Sequence, residues 1–207
     1  MLLEIENLVK RFGDKTVVDG LSFKLAQGLA QRHPNVHALA MEKNSGPGPA
    51  RNLGARRFPG SYLAFLDSDD VYLPNALTSA IGFLEKNPRW DAVKFGFETE
   101  PPINLSQAHY DITYNSIQSN MVVKRYVFDI LDGFPEDEIF RGKLAGEDVA
   151  FYEAVQRLFN LARAQDKMLK YYCPPGSHLF KLVEDCPVSQ DGQAQFPQTA
   201  ERAELGR

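Results

Sequence analysis

The sequence contains few cysteines, no long apolar segment and no excess of positive charge. Its two cysteines, Cys173 and Cys186, have no third ligand at a metal-binding spacing, so we expect reduced thiols in a cytoplasmic protein. No apolar run approaches the roughly 18 residues that cross a bilayer, and the charge at Glu4 argues against a secretory signal. The net charge of −4 argues against a general nucleic-acid-binding protein. We therefore predict no nucleic-acid partner, and we expect any membrane contact to be peripheral, through partners or a surface patch.

The composition is that of a globular protein, and short apolar segments alternate with helical patterns. With 207 residues, of which 43% are hydrophobic and 24% charged, we expect one domain with or without a tail. Residues 36–41, 62–66 and 91–97 are predicted to be strands of one sheet, with helices over residues 74–87 and 148–161 on its faces. This alternation predicts an α/β fold with a mixed, mostly parallel sheet that is covered by helices on both faces.

Both predicted helices carry an apolar stripe at helical spacing. In the first helix the predicted buried stripe consists of Leu77, Ala80, Ile81 and Leu84. In the second helix it consists of Val149, Tyr152, Val155 and Phe159. We expect these stripes to anchor the two helices on the sheet.

Three carboxylates follow the predicted strand 62–66 at once, in the stretch YLAFLDSDDVYLP. Asp67, Asp69 and Asp70 would repel one another unless a cation lay among them. Hard oxygen ligands of this kind suit Mg²⁺ or Mn²⁺, and ligands of open α/β sheets bind where strands end. The alternative is that one aspartate caps the following helix and the others face water.

The longer stretch NSGPGPARNLGARRFPGSYLAFLDSDDVYLP resembles the family 2 glycosyltransferases, which have the GT-A fold. The family pattern of N-x-G-x-x-x-A-R-N-x-G, an apolar strand, D-x-D-D and a proline is matched by Asn44, Gly46, Ala50, Arg51, Asn52, Gly54, Gly60, Asp67, Asp69, Asp70 and Pro74. The resemblance covers about residues 33–180. It implies a nucleotide-sugar donor, a UDP-sugar first of all, bound with Mn²⁺ or Mg²⁺.

The same resemblance implies roles for four residues of this stretch. Asp69 is expected as the principal metal ligand and Asp70 beside the cation. Asp67 is expected toward the ribose and Arg51 on the nucleotide side. For Arg51 the alternative is a surface arginine on a short helix.

A second block, LDGFPEDEIFRGKLAGEDVAFYEAV, also resembles the family, with Gly133 and Phe134 followed by Glu147 and Asp148. The resemblance implies that Asp148 is the general base. It would take the proton of the hydroxyl of a sugar or glycan acceptor as that hydroxyl attacks. The alternative is that both acids are favoured in the first helical turn by the helix dipole.

The front of the chain does not follow the family, because nothing there resembles the first βα unit. Residues 2–28 resemble the start of an ABC-transporter ATPase domain, but no G-x-x-x-x-G-K-[ST] phosphate loop occurs in the sequence, which excludes an ATPase of that kind. We expect a leader over residues 1–28, a GT-A domain over 29–186 and a disordered tail over 187–207. Two functions remain open: a metal-dependent glycosyltransferase of polysaccharide or glycan assembly, or a non-catalytic remnant that serves as a binding module.

Overall fold

The computed structural model describes the backbone of residues 3–6, 10–12, 15–18, 30–141 and 146–185, and the side chains of residues 30–140 and 146–185. The predicted tail and most of the predicted leader lie outside these residues. The strands are β1 (Leu3–Glu6), β2 (Lys10–Phe12), β3 (Lys15–Val18), β4 (Val36–Leu39), β5 (Tyr62–Ala64), β6 (Val71–Tyr72), β7 (Ala92–Glu100), β8 (Met121–Lys124) and β9 (Leu161–Tyr172). The helices are α1 (Pro47–Arg57), α2 (Ala76–Lys86), α3 (Gln107–Ser116), α4 (Arg125–Ile130), α5 (Glu147–Leu158) and α6 (His178–Asp185), with a 3₁₀ turn at Glu138–Arg141.

A five-stranded sheet in the order β5-β8-β7-β9-β6 forms the centre of the fold. The mixed α/β class is confirmed, but the expectation of a mostly parallel sheet is wrong here. Of the four strand pairs, only β7–β9 is parallel, while β5–β8, β7–β8 and β6–β9 are antiparallel. An apolar run indicates that a strand is buried on both faces, and β7 and β8 are buried in this way. Such burial does not determine whether neighbouring strands are parallel or antiparallel.

The predicted strand at residues 36–41 lies in a different sheet from the other two predicted strands. The segments predicted at 62–66 and 91–97 do share the five-stranded sheet, as β5 and β7 on either side of β8. β4 instead pairs in parallel with β1, in register from Leu3 opposite Val36 to Glu6 opposite Leu39. The prediction of one sheet for all three is therefore wrong for β4, because an apolar pattern does not specify the partner of a strand. β2 and β3 form an antiparallel pair of their own.

Helices pack on both faces of the central sheet, and the sheet separates the core into two clusters. Successive residues of β7 and β8 point to opposite faces, so Ala92 and Val123 belong to one cluster and Val93 and Val122 to the other. The first cluster contains residues of α1, α4 and α5, and the second contains residues of α2 and α3. Within the described residues, no helix has the length and apolarity that would allow it to cross a membrane.

The two predicted helices exist, with shifted ends and, in α5, a different buried face. In α2 the predicted stripe is confirmed: Ala80 and Leu84 are buried, and Leu77 and Ile81 pack against the same cluster. α5 ends at Leu158, because Phe159 is extended and the chain enters β9 at Leu161.

In α5 the predicted burial of Val149 is wrong, since 39% of its surface is exposed. Phe151 is buried in its place, and its ring stacks on the Phe134 ring at a centroid distance of 4.4 Å. The helix is therefore rotated so that Phe151, Tyr152 and Val155 face the core.

Candidate active site

The acidic segment forms a tight turn between β5 and β6. The amide of Asp70 donates to the carbonyl of Asp67 at 3.0 Å, which closes the turn and leaves Asp69 exposed at its tip. Asp70 is only 6% exposed. The three carboxylates that the sequence places together therefore have different surroundings, and only Asp69 presents its side chain mainly to solvent.

Arg51 joins this turn to two other parts of the chain. It lies in α1, is 8% exposed, and its Nη2 is 2.7 Å from Oδ1 of Asp67. Its Nη1 is 3.3 Å from Oε1 of Glu147, at the start of α5. Its guanidinium carbon also lies 5.3 Å from the centre of the Phe134 ring. The alternative of a surface arginine is therefore wrong, because the side chain is buried and paired with two carboxylates.

Glu147 is the buried member of this cluster. Its side chain is 5% exposed, and its Oε2 has no hydrogen-bond partner among the described residues. Gly48 of α1 packs against it so closely that an added Cβ would lie 3.0 Å from Glu147 Cγ. Desolvation, followed by repulsion from Asp148, raises the pKa of Glu147. The charge of Arg51 therefore stabilises the ionised form of Glu147, which burial disfavours.

Asp148 lies beside this cluster at the start of α5 and is half-buried. One of its oxygens, Oδ1, accepts a hydrogen bond from the Val149 amide at 2.7 Å. Desolvation raises the pKa of Asp148; the charge of Arg51 opposes this effect and that of Asp67 adds to it. This contact is not a helix cap, because Gly146 is the N-cap residue and no side chain makes a cap hydrogen bond. The charge interactions with Arg51 and Asp67 link Asp148 to the acidic turn. Its role as a base stays a prediction.

Asp70 ties the acidic turn to β9. Its Oδ1 accepts from the amide of Tyr172 at 3.1 Å, while its Oδ2 has no hydrogen-bond partner among the described residues. Desolvation raises the pKa of Asp70 to about 7, against the opposing effect of hydrogen bonds from Ser119 and Tyr172. The expected place of Asp70 beside the cation stays a prediction.

Binding of the expected cation by Asp69 stays a prediction. Within the described residues no group of three or more His, Cys, Asp or Glu side chains is arranged to hold a metal ion. Mg²⁺ in nucleotide sites is commonly bound by only one or two carboxylates together with substrate phosphates and water. An exposed carboxylate at the tip of an acidic turn can supply that contact.

Two residues that support the site had no assigned role in the sequence analysis. Asn52 is fully buried, and its side-chain amide donates to the Phe134 carbonyl at 2.8 Å and accepts from the Phe134 amide at 2.8 Å. The position of Asn52 within the A-R-N segment was a signal that could have indicated a role. The Oγ of Ser119 accepts from the amide of Asp67 at 3.1 Å, and no sequence pattern indicated this contact.

Comparison with known proteins identifies the class. The sequence profile of Glycosyl transferase family 2 matches residues 18–133, which is more than half of the chain. The chain belongs to this family.

Similar proteins come from several bacteria. The chain is 33% identical over 115 residues to the putative teichuronic acid biosynthesis glycosyltransferase TuaG of Bacillus subtilis, a match that covers 52% of this chain and 46% of TuaG. It is 50% identical over 46 residues to an uncharacterized glycosyltransferase of Rickettsia bellii, covering 22% of this chain and 7% of that protein. The chain thus spans less than half the length of these curated relatives.

Solved structures confirm the GT-A fold. S. aureus TarS 1-349 in complex with UDP superposes with a TM-score of 0.60 at 19% identity, covering 78% of this chain and 50% of TarS. The mannosyltransferase PcManGT of Pyrobaculum calidifontis, in complex with GDP-Man and Mn²⁺, superposes with a TM-score of 0.58 at 16% identity, covering 82% of this chain and 49% of that one. At these identities the likeness shows the fold alone.

Proposed function

We propose that this chain transfers a sugar from a nucleotide-diphosphate donor to a hydroxyl acceptor, with a divalent cation, in the assembly of a polysaccharide or other glycan. The observation that carries the proposal is the pairing of Arg51 with both Asp67 and Glu147. This pairing gathers the A-R-N segment, the acidic turn and the Glu-Asp pair of α5 into one cluster. The names of similar proteins support a role in polysaccharide assembly. TuaG is named for teichuronic acid biosynthesis, and ExoO of Rhizobium meliloti is named for succinoglycan biosynthesis.

We assign the donor side of the reaction to the acidic turn. Asp69 is the carboxylate that would hold the cation, which when bound would stabilise the departing diphosphate. Arg51 is buried and paired with two carboxylates, so we place it behind Asp67, where it fixes the direction of that carboxylate. Asp67 has a side chain that is 45% exposed and can still reach a donor ribose. UDP and GDP-Man in the related solved structures support a nucleotide-sugar donor.

We assign the acceptor side to Asp148. Its carboxylate is half-buried, and desolvation raises its pKa, which makes it a better proton acceptor at neutral pH than an ordinary aspartate. The core contacts of Tyr152 and Val155 on the same helix hold α5 in place. This rigidity is what a positioned base requires.

Asp148→Asn tests this assignment. With a UDP-sugar donor and Mn²⁺, we expect kcat to fall by about 10² to 10⁴ while donor affinity is unchanged, because the proton is taken only in the transition state. The matched control is Glu153→Gln, which makes the same change on the same helix at a residue paired with Arg157 at 3.2 Å. Equal turnover of Asp148→Asn and the control would contradict the assignment. A wild-type chain that binds no donor would favour the non-catalytic alternative.

A further inference from the structure

The first residue of the acidic turn is held by a buried hydroxyl. Ser119 is 1% exposed and lies in the turn that leads into β8. Its Oγ accepts from the amide of Asp67 at 3.1 Å, the only hydrogen bond that a side chain makes with the backbone of Asp67 among the described residues. Asp70, the last residue of the turn, is held instead by the amide of Tyr172 at 3.1 Å, so Asp69 lies between two anchored ends.

The segment that carries Ser119 is itself fixed to the centre of the fold. The amide of Met121 donates to the carbonyl of Gln118 at 3.2 Å, which makes a turn around Ser119. The side chain of Asn120 is fully buried and donates to the carbonyls of Phe95 and Tyr114 at 3.0 and 3.3 Å. The hydroxyl of Ser119 is therefore held in a fixed position. The acidic turn that it contacts follows β5, a strand of only three residues.

We propose that Ser119 is a positioning residue of the transfer site, which fixes the acidic turn so that Asp69 stands in one place beside the Arg51–Asp67 pair. This inference rests on the proposed function. The carboxylate of Asp67 is held by Arg51 and its amide by Ser119, so the residue is fixed from both its side chain and its backbone. Loss of the hydroxyl releases the anchor of the Asp67 amide, and Asp69 then samples positions that suit a cation and a diphosphate less well.

The test compares Ser119→Ala with Ser116→Ala. Ser116 is the last residue of α3, and its hydroxyl donates to the Thr113 carbonyl at 3.1 Å, within its own helix. Ser119→Cys serves as a second variant, since it keeps the shape of the side chain with a weaker donor and acceptor. UDP affinity is measured by calorimetry with Mn²⁺ and with EDTA, and backbone amide hydrogen exchange is measured over residues 62–73 without nucleotide.

We expect Ser119→Ala to weaken Mn²⁺-dependent UDP binding about fivefold to tenfold, which corresponds to the loss of one hydrogen bond. We also expect faster exchange in the acidic turn. Ser119→Cys should change both quantities in the same direction by less, and Ser116→Ala should change neither. A purely structural serine would lower the melting temperature of Ser119→Ala but leave the UDP affinity of the folded protein unchanged.

Unchanged UDP affinity, or unchanged exchange in the acidic turn, overturns the inference about Ser119. Failure of the wild-type chain to bind UDP overturns the proposed function instead. In that case the exchange measurement alone decides whether Ser119 holds the turn, because it needs no nucleotide.

Discussion

Replacing Arg51 with methionine would remove the charge that connects the three parts of the site. The substitution keeps an unbranched apolar stem in the buried space and deletes the guanidinium. Asp67 loses a partner at 2.7 Å, but its side chain is 45% exposed and can be rehydrated. Glu147 loses a partner at 3.3 Å while only 5% of its side chain is exposed. The cost of the substitution therefore falls mainly on Glu147.

The expected loss follows from leaving that carboxylate buried and unpaired. Removing one member of a buried ion pair typically costs about 3–5 kcal/mol, and Glu147 can limit the cost by taking up a proton. We therefore expect the free energy of unfolding to fall by about 3 kcal/mol at pH 8. This is a large part of the roughly 5–15 kcal/mol that stabilises a typical domain.

The loss should depend on pH in a definite direction. Desolvation already raises the pKa of Glu147 in the folded protein, and removal of Arg51 raises it further. A carboxyl group whose pKa is higher when folded binds more protons in the folded state, so stability decreases as pH rises through this range. The free-energy cost of keeping Glu147 ionised in the variant changes by up to about 1.4 kcal/mol per pH unit. The loss of unfolding free energy caused by Arg51→Met should therefore shrink to about 1 kcal/mol at pH 5.

Urea unfolding at pH 5 and pH 8 tests this reasoning. The double variant Arg51→Met/Glu147→Gln should recover about 2 kcal/mol of the loss at pH 8, because the buried charge is then absent. The control is Arg56→Met on the same helix, whose half-exposed side chain pairs with Asp132 at 3.0 Å and should cost less than about 1 kcal/mol. Equal losses for the two arginine variants, or a loss that is independent of pH, would refute the account of a buried triad.

Two further predictions concern the folded scaffold. Gly133→Ala should destabilise the fold by about 3 kcal/mol or more in a thermal melt, because φ is +82° and the new Cβ would lie 2.8 Å from Phe128 Cζ. Gly82→Ala in α2, where a new Cβ would meet nothing within 4 Å, should stabilise the fold by about 0.5–1 kcal/mol. Equal effects of the two substitutions would contradict the close packing around Gly133. Burial lowers the pKa of Lys94 to about 7, so wild-type stability should rise by about 1 kcal/mol per pH unit above pH 7, where the unfolded lysine still binds its proton. Lys94→Met should lose this rise in urea unfolding and Lys124→Met should keep it; equal slopes for Lys94→Met and the wild type would show that Lys94 is not buried in this way.

Local features of the site could be predicted from the sequence, because they depend on neighbouring residues. The acidic segment at the end of β5 was predicted from one apolar run followed by three aspartates. The amphipathic stripe of α2 was also confirmed, since helical spacing alone determines which of its residues share a face. The GT-A fold was implied by the resemblance of some thirty residues to the family 2 glycosyltransferases.

Contacts between distant segments could not be predicted in the same way. Arg51 and Glu147 are 96 positions apart, and Ser119 lies 52 positions from Asp67. Such pairs form only once the order of strands is set, and apolar runs do not specify that order. The same limit explains why β4 was expected in the central sheet, although it pairs with β1. The rotation of α5, which exposes Val149, depends on the aromatic stack of Phe134 and Phe151.

Calorimetric titration of UDP in the presence of Mn²⁺, with wild type, Asp69→Asn and Asp111→Asn, tests the central claim most directly. Asp111 is an exposed carboxylate on α3 that accepts a hydrogen bond from Gln107 at 2.8 Å, so it is a matched control. The account predicts that wild type and Asp111→Asn bind UDP, that EDTA abolishes this binding, and that Asp69→Asn weakens it at least about tenfold. The melting temperature of Asp69→Asn in EDTA should stay close to that of wild type, because Asp69 is exposed. Equal UDP affinity of wild type and Asp69→Asn would contradict the assignment of the acidic turn as the donor site.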